Sequence, residues 1–321
     1  MEDNAGLYKA LQSGRQVLPI FIFDTEILNK LEDYNDARIH FIHNALTHIN
    51  EQLQKYGSSL LIYHGKPVEI WQQLLANYPV EKVFVNRDYE PYAKERDQAV
   101  KALLYQNNIK FFGAKDQVIF EKNEVVKTDG KPYHVFTPYS RAWKKRFETD
   151  PPQQYPSEDL LHNHLKTAPF YQPSLEELNF KPTDVPFPPH TVEPNVLQQY
   201  HEKRNYPSLN ATSRMGPHLR FGTISIRQLL HSGLENSNTY TNELIWRDFY
   251  QMILWYYPQV ADQSFKPEFD NIQWINSEDD FKKWCEGKTG YPLVDAGMRQ
   301  LNTIGYMHNR VRMVTASFLT K

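Results

Sequence analysis

Cysteine is almost missing: the 321 residues hold one, Cys285. A lone thiol excludes an internal disulfide and a thiolate metal cluster, and it fits a reducing cytoplasm. Long apolar runs are missing too. None reaches the ~18 residues of a spanning helix, and no secretory leader opens the chain. The expectation is a cytoplasmic chain with no membrane association. Charge of one sign is also missing. Lys and Arg total 36 against 38 Asp and Glu, a net charge of −2, so any nucleic-acid contact needs a local patch. Glycine is sparse, at 13 residues. Neither GxGxxG nor GxxxxGK[ST] occurs, which leaves an ordinary dinucleotide or P-loop phosphate site without support.

Aromatic residues are plentiful. They make up 14% of the chain, with 6 Trp and 20 Tyr, and suggest stacking surfaces, a large cofactor or both. The length suits two domains of about 150 residues each.

In the first part, strands alternate with helices. Val17 to Asp24 (VLPIFIFD) reads as a buried parallel strand. Ala37 to Tyr56 reads as a helix with Ile39, Ile42, Leu46, Ile49 and Leu53 on one face. Strands at Ser59–Tyr63, Lys82–Val85 and Ile109–Phe112 alternate with helices at Pro67–Tyr78 and Pro91–Gln106. This order implies right-handed βαβ units and a parallel sheet. Asp24, Asn86, Arg87, Asp88 and Tyr89 fall at the carboxyl edge, where such sheets bind ligands. Asp129-Gly130 marks a hairpin turn. His40 and His43 share a helix face with no carboxylate or third ligand in evidence. With His48 they read as solvated helix histidines, and no metal is expected.

Asp150 to Pro194 carries ten prolines and reads as an extended inter-domain crossing. Beyond Val196 the pattern is helical. Ser225 and Ser277 begin capping boxes. Asn242 to Tyr257 places Glu243, Trp246, Arg247 and Tyr250 on one face; alone, that is equally an i,i+4 ion pair beside core aromatics. ATSRMGPHLRFG at Ala211–Gly222 offers Thr212 and Ser213 as helix caps or as part of a phosphate cradle. In the last stretch, from Tyr291, one helix stops at Gly305 and another starts near His308. Asn309, Arg312, Met313 and Ala316 share its face, either a pocket wall or a satisfied polar buttress.

Taken together, TSRMGPHLRFG, NELIWRDFYQ, EGKTGYPLVDAGMRQL and GYMHNRVRMVTASFL closely resemble the photolyase/cryptochrome family. NRDYEPYAKERD and VFTPYSRAWKK in the first part agree. The resemblance covers essentially the whole chain. It is strongest to enzymes that split cyclobutane pyrimidine dimers, and it implies an α/β, Rossmann-like antenna-type domain over 1–135. A Pro-rich linker over 136–195 and an all-α FAD- and DNA-binding domain over 196–321 follow. The implied activity is light-driven repair by electron transfer from reduced FAD to a dimer in UV-damaged DNA, performed by a monomer. A cryptochrome-like photoreceptor and a flavin-free DNA-binding fragment are the alternatives.

The resemblance also implies roles for single residues. Tyr200, Thr212, Ser213, Arg214, Met215, Gly216, Arg247 and Arg312 fall on FAD-binding positions, with Met215-Gly216 where many members have Leu-Ser. Glu243, Trp246, Asn309 and Met313 fall on the lesion pocket. Arg204, Tyr250 and Arg310 join Glu243, Trp246 and Asn309 as DNA contacts, and Trp274 falls on the outermost electron-relay tryptophan. Tyr306 stands where a tryptophan is usual. An antenna chromophore, folate or deazaflavin, stays unassigned. Against the family pattern, the first parallel strand is missing and the pattern breaks off at Lys321, inside the flavin pocket. Open strand edges and weak or absent FAD retention are therefore expected.

Overall fold

The computed structural model describes residues 1–320; Lys321, at which the family pattern is expected to break off, lies outside the described residues. The elements run α1 (Ala5–Leu11), β1 (Ile20–Asp24), α2 (Thr25–Leu28), α3 (Ala37–Lys55), β2 (Leu61–Gly65), α4 (Pro67–Asn77), β3 (Lys82–Asn86), α5 (Pro91–Gln106) and β4 (Lys110–Ala114). After α6 (Phe136–Thr149) the chain crosses outward with one 3₁₀ stretch at Ser157–Asn163. It returns as α7 (Pro194–Gln198), α8 (Tyr200–Lys203), α9 (Gly216–Phe221), α10 (Ile226–Asn236), α11 (Asn238–Tyr256), α12 (Glu278–Glu286), α13 (Pro292–Ile304) and α14 (Asn309–Leu319).

The strands form two parallel pairs, β1 with β2 and β3 with β4, instead of one continuous sheet. Strand β1 begins at Ile20, three residues later than the apolar run suggests. Pro19 has no N–H to give the ladder, and Val17 instead bridges to His164. Likewise Ser59 and Leu60 leave the strand for Asn50, which accepts the Ser59 hydroxyl at 3.0 Å and the Leu60 N–H at 2.9 Å.

Helix α3 starts where the Asp36 side chain accepts the Arg38 N–H at 2.8 Å. Its Ile39, Leu46 and Leu53 pack with Phe23 of β1. Leu175, Leu178 and Phe180 of the Pro-rich crossing complete the same cluster. Side chains of this kind contribute about 1.5–3 kcal/mol each when fully buried, so the crossing is held on the α/β layer despite having little regular structure.

Three local expectations are corrected. His40 and His43 are not simply solvated. His40 Nδ1 accepts the Thr183 N–H at 3.2 Å, and His43 Nε2 bonds the Pro173 carbonyl at 2.9 Å, so both hold the crossing; His48 is exposed. The Asp129-Gly130 turn forms, closed by Lys127 and Lys131 backbone bonds, but no strands flank it. The carboxyl-edge residues are engaged internally: Asp24 by Tyr92, Asn86 by Asn4 and Asp116, and Arg87 and Tyr89 by Glu121.

The helical layer packs around α11. Leu244, Ile245, Phe249 and Met252 meet Trp143 and Tyr139 of α6, Leu229 and Leu230 of α10, and Ile119 and Phe120. Beside this core, Arg227 lies almost wholly buried in the apolar stripe of α10. It donates to Asp3 and Asp116, each at 2.8 Å, and to the Asp3 carbonyl. The start of the chain is thereby fastened to α10.

Candidate functional site

Helix α11 begins at Ser237, whose side chain accepts the Tyr240 N–H at 3.3 Å. From this frame the expected face fans out to three partners. Glu243 pairs with Arg204 at the end of α8, not with Arg247 one turn on. Trp246 stacks on Phe136 at 3.6 Å between ring centres and on Tyr250 at 5.6 Å. Arg247 turns inward and donates to the carbonyls of Gln117 and Leu219; burial lowers its pKa, yet it stays charged. The i,i+4 ion pair open at the sequence level does not form.

Tyr200 lies beside this group. Its ring meets Tyr240 edge-on at 5.3 Å and lies 5.7 Å below the Arg204 guanidinium. Burial and the neighbouring Glu243 push its hydroxyl up to about 12. The His308 ring caps α14 through the Arg310 N–H at 3.1 Å and reaches the Arg204 carbonyl at 2.9 Å. Arg310 donates to Asn205 at 2.9 Å. One surface thus gathers Tyr200, Arg204, Glu243 and Arg310.

Segment 211–216 forms the adjoining edge. Thr212 and Ser213 do not cap α9, whose N-cap Met215 makes no side-chain cap bond. Instead the Thr212 hydroxyl bonds Tyr306 at 2.8 Å. Arg214 takes a left-handed backbone, φ 54°, and its guanidinium covers the Tyr306 ring at 4.6 Å. Two buried polar atoms here have no partner among the described residues, Arg214 Nε and the Tyr240 hydroxyl. The backbone N–H groups of Ser213, Arg214 and Gly216 have no protein acceptor among the described residues either, but Ser213 and Arg214 are only partly buried and Gly216 is exposed, so the cost of an open donor falls on the two buried side-chain atoms. Buried donors left open carry a cost of about 1–3 kcal/mol each. Open N–H donors close together in the chain suit an anionic, oxygen-rich group such as a pyrophosphate.

The remaining candidates stand apart. Asn309, Arg312 and Met313 occupy an exposed face of α14 and contact one another, Arg312 donating to Asn309 at 3.4 Å. No hydrogen bond joins them to Glu243 or Arg247 among the described residues. Trp274 is 51% exposed on the segment before α12, with no aromatic partner among the described residues.

Sequence reasoning missed Asp248. Its carboxylate is buried under α11 and accepts Trp143 Nε1 at 2.9 Å, the Phe120 N–H at 3.1 Å and the Ile119 N–H at 3.3 Å. The available signal was an acid inside the apolar stripe of Leu244, Ile245, Phe249 and Met252. Burial pushes its pKa up to about 6 from the ordinary 3.8. The fold therefore favours the protonated form. That stabilisation is complete below about pH 4 and is lost as the pH rises through about 6, a swing of about 3 kcal/mol. Asp248→Asn is expected to remove the swing. Urea unfolding of both proteins across this range checks it: the stability difference between them must change by about that amount, and a constant difference refutes it.

With this geometry in place, the relatives are informative. Residues 1–157 match the DNA photolyase family model, and residues 240–321 match the FAD binding domain of DNA photolyase. The chain is 33% identical to the deoxyribodipyrimidine photo-lyase of Synechococcus sp. over 353 aligned residues, covering all of this chain and 72% of the relative. It is 31% identical to that of Halobacterium salinarum, covering 95% of this chain and 68% of the relative. The archaeal photolyase from Sulfolobus tokodaii, solved with two FAD molecules, superposes with a TM-score of 0.81 at 29% identity, covering 99% of this chain and 72% of that one. The class III photolyase from Agrobacterium tumefaciens superposes equally well, also at 29% identity, covering 100% of this chain and 70% of that one. The Synechocystis sp. cryptochrome shares the fold, with a TM-score of 0.81 at 23% identity. The α/β layer, the α11 constellation and these relatives agree, and the chain belongs to the DNA photolyase family.

Proposed function

We propose that this chain repairs cyclobutane pyrimidine dimers in UV-damaged DNA, using FAD and light, as a cytoplasmic monomer. The carrying observation is the run of contacts from the unpartnered Tyr240 hydroxyl through the Tyr200 ring to the Arg204–Glu243 pair, with the Trp246–Tyr250 stack on the same helix α11. When bound, reduced and light-excited FAD supplies the electron that splits the dimer.

The chain's own residues do the rest. Ser213, Arg214 and Gly216 offer N–H groups to the pyrophosphate, and Tyr200 and Arg312 flank the cofactor. Glu243, held by Arg204, presents a carboxyl oxygen to the polar edge of an extruded pyrimidine. Trp246 and Tyr250 present aromatic surface to its face; such stacking contributes about 1–3 kcal/mol per base, comparable to the few kcal/mol needed to extrude a damaged pair. Tyr250, 63% exposed, is the more open of the two. Arg310 takes a backbone phosphate, with Asn309 and Met313 beside it. Trp274 would be the outermost member of an electron relay, at a surface position with no aromatic partner among the described residues. Because Arg312 and Met313 lie on an open face, the cofactor is expected to be held weakly.

Titration of the purified chain with FAD, followed by flavin fluorescence, tests the cradle. Arg214→Ala is expected to weaken binding roughly tenfold to a hundredfold, the worth of one charge-assisted contact. Equal affinity of the two proteins removes the 213–216 segment from the cofactor site.

A further inference from the structure

No helix or strand covers 204–215, between α8 and α9. The segment that carries Thr212, Ser213 and Arg214 therefore has no regular hydrogen-bond ladder to fix it, and Arg214 sits on a left-handed backbone, φ 54°. Across from it lies the turn between α13 and α14.

That turn is rigid by contrast. Gly305 ends α13 in a left-handed conformation, φ 64°, so close to the Pro-rich crossing that an added Cβ would meet Val185 Cγ1 at 2.8 Å. Met307 is buried against Met298 and Val311. His308 is buried too, caps α14 and reaches the Arg204 carbonyl at 2.9 Å. Tyr306 stands between these anchors, on backbone with little freedom left.

Two contacts join Tyr306 to the irregular segment. Its hydroxyl lies 2.8 Å from the Thr212 hydroxyl, and its ring lies 4.6 Å below the Arg214 guanidinium. A long arginine side chain loses much rotamer freedom when it is held in one place. Attraction between a guanidinium and an aromatic face offsets part of that loss. The same attraction takes up no hydrogen-bond acceptor, and Arg214 Nε stays buried and open among the described residues. The difference in rigidity sets the direction of the effect: the packed turn orders the loop, and the loop does not order the turn.

We infer that Tyr306 is a positioning residue for the anionic oxygens of the cofactor. It acts on them through Arg214, which its ring holds, and through the backbone that its hydroxyl pins at Thr212. The inference rests on the reading of 213–216 as part of the FAD site and adds to it a residue from the α13–α14 turn. The flavin segment and the Arg204–Glu243 pair are then both braced from residues 306–308, one through Tyr306 and the other through His308.

FAD titrations of the 321-residue protein, followed by flavin fluorescence, test this with Tyr306→Leu, Tyr306→Phe, Arg214→Ala and the double variant Arg214→Ala with Tyr306→Leu. Tyr306→Leu is expected to weaken FAD binding roughly tenfold. The double variant is expected to bind within about twofold of Arg214→Ala alone, because the two residues act in one path. Tyr306→Phe keeps the ring and is expected to stay within about threefold of the unaltered protein. Without flavin, Tyr306→Leu is expected to lower the thermal midpoint by no more than about 2 °C. Unchanged FAD affinity in Tyr306→Leu, beside weakened binding in Arg214→Ala, overturns the inference and leaves the FAD reading intact. Losses that multiply in the double variant, or equal losses in Tyr306→Leu and Tyr306→Phe, also overturn it. So does a much larger fall in the thermal midpoint, which assigns Tyr306 a merely structural role. No FAD binding by the unaltered protein, or equal affinity in Arg214→Ala, fails the FAD reading and the inference with it.

Discussion

Arg227→Met is expected to lower the unfolding free energy by about 3–5 kcal/mol, the usual cost of breaking a buried ion cluster from one side. The guanidinium side chain is 4% exposed and serves two carboxylates, Asp3 and Asp116. Ser225 gives its hydroxyl to the same Asp3 carboxylate at 2.5 Å. Methionine fills the volume but leaves both acids without their cation in a desolvated place. The loss therefore comes from stranded charge and not from a cavity. Asp3→Asn with Asp116→Asn is expected to recover much of it in the methionine background. By contrast, Arg15 and Glu81 are 66% and 55% exposed, and Arg15→Met is expected to cost no more than about 1 kcal/mol. Urea unfolding of these variants measures each step. Equal effects at Arg227 and Arg15 contradict the account of how the start of the chain is fastened.

The second large effect is on repair. Glu243→Ala is expected to reduce light-driven dimer splitting roughly a hundredfold in turnover, the scale on which a single preorganised polar contact acts. Glu243 is half-buried and held by Arg204, with Tyr200 stacked beneath that arginine. Its carboxyl group is thus oriented before any DNA arrives. Glu243→Gln keeps an oxygen and adds donors, so it is expected to retain more activity than the alanine variant. Affinity for damaged duplex is expected to fall far less than turnover, because the Trp246 and Tyr250 stack remains. Single-turnover repair beside a binding titration separates these outcomes. A fall in binding that accounts for the whole loss assigns Glu243 to DNA affinity alone.

Legibility in the sequence followed the physics of each signal. Elements with regular period and clear caps were readable: α5 runs from Pro91 to Gln106 as its charge and proline pattern predict, and α12 lies between Ser277 and Gly287. The α/β alternation and the helical second part were equally plain. Long-range polar geometry was not. Spacing on α11 suggested Glu243 with Arg247, whereas the carboxylate found Arg204, 39 positions back. Asp248 and Arg227 drew no reading from the sequence, because nothing local reveals that Trp143 or Asp3 waits across the core. The histidines of α3 were misread for the same reason, since their partners Thr183 and Pro173 lie in a segment without periodicity. The site residues themselves were reached through family resemblance, as no single motif among them specifies flavin or DNA chemistry.

The central claim is that this chain splits cyclobutane dimers with FAD and light. The direct measurement is loss of thymine dimers from a defined oligonucleotide, incubated with the purified, FAD-loaded, reduced protein, in light and in darkness. Loss in light, none in darkness and a large reduction with Glu243→Ala are the predicted results. A preparation that holds flavin and binds the damaged oligonucleotide, yet leaves every dimer intact under illumination, contradicts it.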